Sequence, residues 1–156
     1  MSYCIDTSAI LDGWSRWYPI DHFPAYWDNV EELINEGELI CPEIVLDELK
    51  KKEDGAHKWF KARSKIARPL LEEIQLAAKQ ILAKYPRLVD SMKGRSGADP
   101  FVIALAQIEN ATVVTGEVSR KSERKAAIPD VCNAMGIRYI NTVGLIKARN
   151  WKFVKG

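Results

Sequence analysis

Short apolar runs that alternate with longer stretches of helical periodicity restrict the folds open to this chain. Four runs are rich in apolar or β-branched residues, as strands are: residues 3–5, 38–41, 111–115 and 137–140. Because a helical stretch separates each run from the next, we expect crossover connections and parallel pairing. Parallel sheets are covered by helices on both faces. The pattern therefore predicts an α/β fold, a three-layer α/β/α sandwich around a parallel sheet.

Helical periodicity predicts the elements that cover this sheet. We expect helices at residues 24–36, 42–53, 57–88, 99–109, 130–135 and 142–149. The third should be broken near Pro69, and Gly37 and Gly136 occupy C-cap positions. The stretch 101–108 is almost wholly apolar, so its helix should be central and buried. Ligands of such sheets bind beyond the carboxyl ends of the strands, and a functional site is expected there.

Length and composition suit one domain without a membrane anchor. The chain has 156 residues, 47% of them apolar, which is enough for one core. No apolar run approaches the ~20 residues of a membrane span, and the first residues do not resemble a secretory signal. Cys4, Cys41 and Cys132 are widely spaced, as expected of buried thiols in a reducing compartment. We therefore expect a cytoplasmic protein with a single domain over residues 1–156.

Charge is distributed unevenly along the chain. Residues 1–49 contain eleven acidic residues and a single basic one, Arg16, whereas Lys and Arg are dense in residues 50–68. Basic clusters beside an acidic centre suit a polyanion bound through its backbone, although an ordinary solvated surface explains them equally well. A second basic cluster consists of Arg120, Lys121, Arg124 and Lys125.

Two aspartates occupy positions where an active site is expected. Asp6 directly follows the first strand, at its carboxyl end. Asp99 precedes Pro100 at the start of the apolar helix, which places it beside the sheet. Each has a structural alternative, because Asp is a good N-cap and Pro suits the first helical turn. A carboxylate can cap a helix with one oxygen and bind a cation with the other, so both roles stay open.

Further acidic residues are expected at the same edge. Glu48 falls on the apolar face of the second predicted helix, whereas Asp47 points away from it. A carboxylate on a core-facing side needs a partner, and a metal ion is one such partner. Thr115 and Glu117 end the third strand run, and Gly116 between them permits a tight turn. The alternatives are a Glu that reaches solvent and a plain surface turn.

The predicted carboxylate cluster has the composition of a magnesium or manganese site. Carboxylates brought close together repel one another and take up protons unless a cation lies among them. Hard oxygen ligands favour Mg²⁺ or Mn²⁺ over zinc. The two histidines, His22 and His57, lack metal-ligand spacing, and we take both as non-catalytic.

Four motifs, in this order, resemble those of the PIN-domain ribonucleases. They are Ile5-Asp6-Thr7-Ser8, Asp47-Glu48-Leu49, the stretch ADPFVIALA from Ala98 to Ala106, and Val114-Thr115-Gly116-Glu117. The resemblance extends over nearly the whole chain, and ADPFVIALA is its most specific part. Many PIN domains are toxins of the VapC type that pair with an antitoxin.

The resemblance implies a fold, an activity and a set of site residues. It implies the α/β/α sandwich and a metal-dependent endoribonuclease with Mg²⁺ or Mn²⁺, RNA as substrate, an antitoxin as partner and a homodimer. Asp6, Glu48 and Asp99 match the three family carboxylates. Thr115 and Glu117 match the family's Thr-x-Asp, with Glu in place of the usual Asp, so the role of Glu117 departs from the pattern.

Two further residues are candidates for the site, and two other functions are weighed. Ser8 follows Asp6 closely enough to bind backbone or a metal-bound water, and Asp130 either joins the site or caps a helical turn. Aromatic residues flank Arg16 in residues 14–18, and they suit stacking on bases, core packing or a subunit contact.

A receiver-type phosphotransfer domain lacks support, since no Lys occupies a strand end. The alternative function is an inactive PIN-like module that binds RNA or protein.

Overall fold

A parallel five-stranded sheet forms the centre of the molecule. The computed structural model describes residues 1–89, 97–121 and 126–155. The strand order is β3-β2-β1-β4-β5, and every pairing between neighbours is parallel. The strands are β1 Tyr3–Ile5, β2 Leu39–Pro42, β3 Ala67–Arg68, β4 Thr112–Val114 and β5 Tyr139–Ile140.

Helices connect these strands and flank the sheet. A π-helix, Asp12–Trp17, follows α1 directly, and 3₁₀ turns lie at Ser64–Ile66 and Pro86–Leu88. The α-helices of the described residues are α1 Thr7–Leu11, α2 Pro24–Asn35, α3 Glu43–Lys52, α4 Asp54–Lys61, α5 Glu72–Lys84, α6 Asp99–Glu109, α7 Ile128–Met135 and α8 Thr142–Ala148.

Helix α6 packs at the centre of the molecule. Its residues Val102, Ile103, Ala104 and Leu105 are almost completely buried, and the helix contacts β1, β2 and β4 as well as α5. An apolar surface on nearly every side suits a helix enclosed in this way. The expectation of a central helix is confirmed, and its first residue, Asp99, lies next to the sheet.

Two predicted helix ends are confirmed in their backbone geometry, and one cap is corrected. Gly37 and Gly136 adopt positive φ angles of 74° and 70° just after α2 and α7, a conformation that glycine allows at little cost. The prediction that Asp99 caps α6 is wrong by one position. Ala98 is the N-cap and makes no side-chain capping bond, and Asp99 is the first residue of the helix.

The predicted helical region 57–88 is divided in the structure. Helix α4 ends at Lys61, and α5 begins only at Glu72. Between them, the short strand β3 pairs with the end of β2, which adds an edge strand to the sheet. No helix of the described ranges is long and apolar enough to cross a membrane.

Candidate active site at the carboxyl edge of the sheet

Asp6 lies at the centre of a hydrogen-bond network that joins the ends of β1 and β4. Its side chain caps α1 by accepting a hydrogen bond from the backbone N–H of Ala9 at 2.7 Å. Ser8 Oγ lies 2.8 and 2.9 Å from the two carboxylate oxygens, and Thr115 Oγ1 donates to Oδ2 at 2.5 Å. Asp6 is only 1% exposed. The capping interpretation of Asp6 is therefore confirmed, and the same residue occupies the edge where ligands are expected.

The turn after β4 closes tightly over this network. Gly116 donates its backbone N–H to Ser8 Oγ at 2.9 Å, and Glu117 donates its own to Thr115 Oγ1 at 3.0 Å. A Cβ on Gly116 would lie 2.1 Å from Asp12 Oδ2, so a side chain there would displace Asp12. The predicted tight turn is present, and it brings Glu117 back over the sheet edge.

Helix α3 contributes Glu48 from the other side of β1. Thr7 Oγ1 donates a hydrogen bond to Glu48 Oε1 at 2.9 Å. Glu48 is half-buried and Asp47 is exposed, as the helical periodicity predicts. The first helical residue after Asp6 thus orients a carboxylate that lies 41 positions further along the chain.

The carboxyl groups of Asp99 and Glu117 are hydrogen-bonded to each other. Asp99 is 3% exposed. Burial raises its pKa to about 10, and the charge of Glu117, the charge of Asp6, a hydrogen bond with Glu117 and the charge of Glu48 add to the increase. Carboxylates from three other segments of the chain therefore act on Asp99: Asp6, Glu48 and Glu117.

The pKa of Asp6 is raised as well, to about 7. Burial is the main cause, and the negative charge of Glu117 adds to it. Hydrogen bonds from Thr115, Ala9 and Ser8 act in the opposite direction, because they stabilise the ionised form. Buried carboxylates with raised pKa values hold protons that a cation would displace.

The residues fit a divalent cation in composition and charge. The donor set consists of oxygen atoms, which Mg²⁺ and Mn²⁺ prefer, and the repulsion that raises the pKa of Asp99 is what a cation relieves. Within residues 1–89, 97–121 and 126–155, no three His, Cys, Asp or Glu side chains already form a ligand cage. The carboxylates instead bond to hydroxyls, backbone N–H groups and each other, so binding a cation requires side chains to turn and protons to leave.

The carboxylate of Asp130 accepts hydrogen bonds from a hydroxyl and from main-chain N–H groups. Its carboxylate accepts hydrogen bonds from Ser119 Oγ at 2.5 Å, from the backbone N–H groups of Arg120 and Lys121 at 3.0 to 3.1 Å, and from that of Ala127 at 2.9 Å. Burial disfavours its charge, but these hydrogen bonds outweigh that effect and lower its pKa. Asp130 is the third residue of α7 rather than its N-cap.

The first residue of α7 also binds the side chain of Glu117. The backbone N–H of Ile128 donates to Glu117 Oε1 at 3.2 Å. Arg120 and Lys121 follow Glu117 closely and are exposed. The structure therefore places these two predicted RNA-binding residues beside the site, whereas Arg124 and Lys125 lie outside the described residues.

Sequence reasoning placed Thr7 next to Asp6 as a candidate hydrogen-bond donor but did not identify its partner, and it did not single out Asp12. Thr7 orients Glu48, and Asp12 lies against Gly116 with a pKa that burial raises and Arg16 lowers. Thr7 is part of the Asp-Thr-Ser motif, but its partner is distant in the sequence. Asp12 could have been placed near the site only by predicting the short helix α1 that leads to it. Helix α1 has five residues, which is too few for a periodic pattern to show in the sequence.

The three cysteines are free and buried, as expected. Burial, with the charges of Asp6 and Glu117, raises the pKa of the Cys132 thiol to about 12. Because Mg²⁺ and Mn²⁺ prefer oxygen ligands, these thiols are not expected to bind either ion.

Comparison with known proteins identifies a family and a fold. The model of the family described as "Domain of unknown function (DUF4411)" matches residues 3–153. A search of curated proteins found no match. Among solved structures, the chain is similar to one in the crystal structure of VapBC2 from Rickettsia felis bound to a DNA fragment from their promoter. The TM-score is 0.54 and the identity 19%, over 90% of this chain and 98% of that one. This likeness confirms the predicted VapC-like PIN fold.

Proposed function

This chain belongs to the DUF4411 family, and we propose that it is a metal-dependent endoribonuclease whose active site is the carboxylate cluster around Asp6. The observation that carries the proposal is the convergence of Asp6, Glu48, Asp99 and Glu117, from four segments of the chain, at the carboxyl edge of a PIN-like sheet. A structural role alone offers no reason to bury Asp6 and Asp99 beside other acidic groups, because each raises the cost of ionising its neighbours.

We assign the cation to Asp6, Glu48, Asp99 and Glu117. When bound, Mg²⁺ or Mn²⁺ polarises the phosphodiester and lowers the pKa of the attacking water. Thr115 and Ser8 hold the Asp6 carboxylate in one orientation, and Thr7 does so for Glu48.

The exposed side chains of Arg120 and Lys121 supply the contacts to the nucleic acid backbone. They lie next to Glu117, and their main chain is bound by Asp130. Positive charges at fixed positions neutralise phosphates without reading the base sequence. In this proposal, Asp130 positions basic residues and does not bind the metal.

The partners follow from the fold likeness alone. The similar solved structure is that of a VapBC2 complex, so we propose that this chain is a toxin that forms a homodimer, binds an antitoxin and acts in the cytoplasm. Co-expression with the product of a small neighbouring gene, followed by co-purification, tests this part separately from the activity.

A second candidate is a PIN-like module without catalysis that only binds RNA or protein. It is favoured by one observation, the absence of a preformed three-ligand cage among the residues that the structure describes. Incubating the purified protein with end-labelled single-stranded RNA, and with DNA of the same sequence, separates the two candidates. We expect internal cuts in RNA with Mn²⁺. Binding without any cut over a range of metals and sequences would favour the module.

A further inference from the structure

The π-helix Asp12–Trp17 begins at the edge of the candidate active site. Asp12 Oδ2 lies 2.1 Å from where a Cβ of Gly116 would be, in the turn between Thr115 and Glu117. The start of this helix is therefore in contact with the loop that carries two of the site residues. Single π-helical turns occur frequently at functional sites.

The winding of the π-helix brings its last residues back toward the side of Asp12. The backbone N–H of Tyr18 donates to the carbonyl of Gly13 at 2.9 Å, a bond that spans five residues. In an α-helix, at roughly 100° per residue, Trp17 would project about 140° away from Asp12. The wider π-helical turn reduces this angle. Arg16 and Trp17, which come four and five residues after Asp12, therefore project on either side of it. The ion pair of Arg16 Nη1 with Asp12 Oδ1, at 3.8 Å, agrees with this arrangement.

Arg16 and Trp17 are exposed, whereas the neighbouring aromatic residues are packed. The side chain of Arg16 is 71% exposed and Trp17 is 57% exposed. Trp14 packs edge-on against Trp27, with ring centroids 5.2 Å apart, and Tyr18 stacks on Tyr26 at 4.3 Å. The π-helix is thus anchored on both sides of the exposed pair, so little further ordering is needed when a ligand binds.

We propose that Arg16 and Trp17 form a platform for single-stranded nucleic acid, on which one unpaired base stacks against the indole while the guanidinium contacts a nearby phosphate. Base–aromatic stacking is tolerant of sequence, and Arg adds charge and a planar surface. This inference rests on the proposed function, because it places a substrate strand at the same site.

The position of Arg16 next to the proposed cleavage site favours nucleic acid over a protein partner. Arg16 is the only basic residue in residues 1–49, and it lies beside an edge lined by carboxylates. One positive charge next to the proposed cleavage site complements a phosphate backbone that must approach that edge. A subunit contact through the exposed indole is the competing explanation, and it makes a different prediction.

The test measures binding separately from cleavage. Fluorescence anisotropy of a labelled single-stranded RNA, in EDTA at fixed salt, gives the dissociation constant for the full chain and for Trp17→Ala, Trp17→Phe and Arg16→Ala. Leu76→Ala, which removes a side chain of equal exposure from α5, is the matched control. The same strand annealed to its complement is the second ligand, since its bases are not free to stack.

We expect Trp17→Ala to weaken single-strand binding roughly 5- to 150-fold. Trp17→Phe should recover most of this loss, and duplex binding should change little. Equal losses for both ligands, no loss at all, or no single-strand binding by the unmodified protein would each overturn the inference. A shift from dimer to monomer in Trp17→Ala, seen by gel filtration, would assign the indole to a subunit contact instead.

The design keeps failure of this inference distinct from failure of the proposed function. If the RNA binds through Trp17 but is never cut with Mn²⁺, the platform is supported and the nuclease is not. If the RNA is cut and Trp17→Ala leaves both binding and the KM for single-stranded RNA unchanged, the nuclease is supported and the platform is rejected.

Discussion

Individual residues in this site combine a structural and a proposed chemical role. Asp6 caps α1 and also lies at the centre of the carboxylate edge. The sequence alone could not decide between these roles. A helix cap is visible in a local pattern, whereas contact with other carboxylates depends on residues that are distant in the sequence. The structure shows that the Asp6 carboxylate caps α1, and its position at the carboxyl edge supports the proposed chemical role.

Replacing Asp6 by Asn should abolish cleavage and leave the fold intact. Asn retains the shape of the side chain and still caps a helix, but it lacks the negative charge that holds a cation. It also removes repulsion with Glu117, so metal-free stability should stay equal or rise by about 1 kcal/mol. Thermal unfolding in EDTA and RNA cleavage in Mn²⁺ measure the two effects. Asp47→Asn, an exposed neighbour of Glu48, is the control and should cut RNA normally.

The raised pKa values of Asp6 and Asp99 predict an unusual pH dependence of stability. Both lie above the ordinary value of 3.8, so the folded state binds these protons more tightly than the unfolded chain does. The free energy of unfolding of the metal-free protein should therefore fall as pH rises from about 4 toward 7, and fall further toward 10. Urea unfolding in EDTA at several pH values measures it, and Mg²⁺ should restore stability at pH 8.

The variant Asp6→Asn provides the control for this effect. An amide does not titrate, so the slope of stability against pH between 4 and 7 should become shallower. A slope equal to that of the unmodified protein would show that Asp6 is not the titrating group.

Helices with a clear apolar periodicity could be predicted from the sequence, whereas very short strands and irregular helices could not. Helix α6 has eleven residues, and its bounds are those expected from the apolar run. Strand β3 has two residues, and it forms because β2 offers a free edge. The π-helix follows α1 without a break, and its winding depends on the packing of Trp14 and Tyr18. Tertiary contacts, absent from a local pattern, decide such elements.

The positions of residues 119–121 and of the start of α7 should depend on Asp130. This carboxylate is the acceptor for one hydroxyl and three backbone N–H groups. Asp130→Ala should destabilise the protein by about 1–3 kcal/mol, because charge-assisted hydrogen bonds are lost and donors are left unpaired. In contrast to Asp6, the pKa of Asp130 is lowered, so its stabilising effect is present at neutral pH and is lost as pH falls through its folded pKa.

Urea unfolding measures this loss, and RNA binding tests its consequence. If Asp130 positions Arg120 and Lys121, then Asp130→Ala should weaken RNA binding while Mn²⁺ binding stays within a factor of a few of normal. Loss of Mn²⁺ binding with unchanged stability would instead identify Asp130 as a metal ligand.

For the whole molecule, the fold was predictable and the state of the site was not. Alternating strands and helices predict the parallel sandwich, and its carboxyl edge predicts where the acidic residues meet. The pairing of Asp99 with Glu117, and the absence of a ready cage among the described residues, depend on side-chain rotamers that no pattern encodes. Whether these carboxylates take up a cation is therefore the central question about this protein.

A titration of Mn²⁺ into the EDTA-treated protein, with binding and RNA cleavage followed in the same samples, tests this claim most directly. We predict no cleavage without metal, cleavage that rises as Mn²⁺ binds, and proton release on binding near neutral pH as Asp6 and Asp99 ionise. Asp6→Asn should lose both binding and cleavage. Full cleavage in chelator, or Mn²⁺ binding that Asp6→Asn leaves unchanged, would contradict the account.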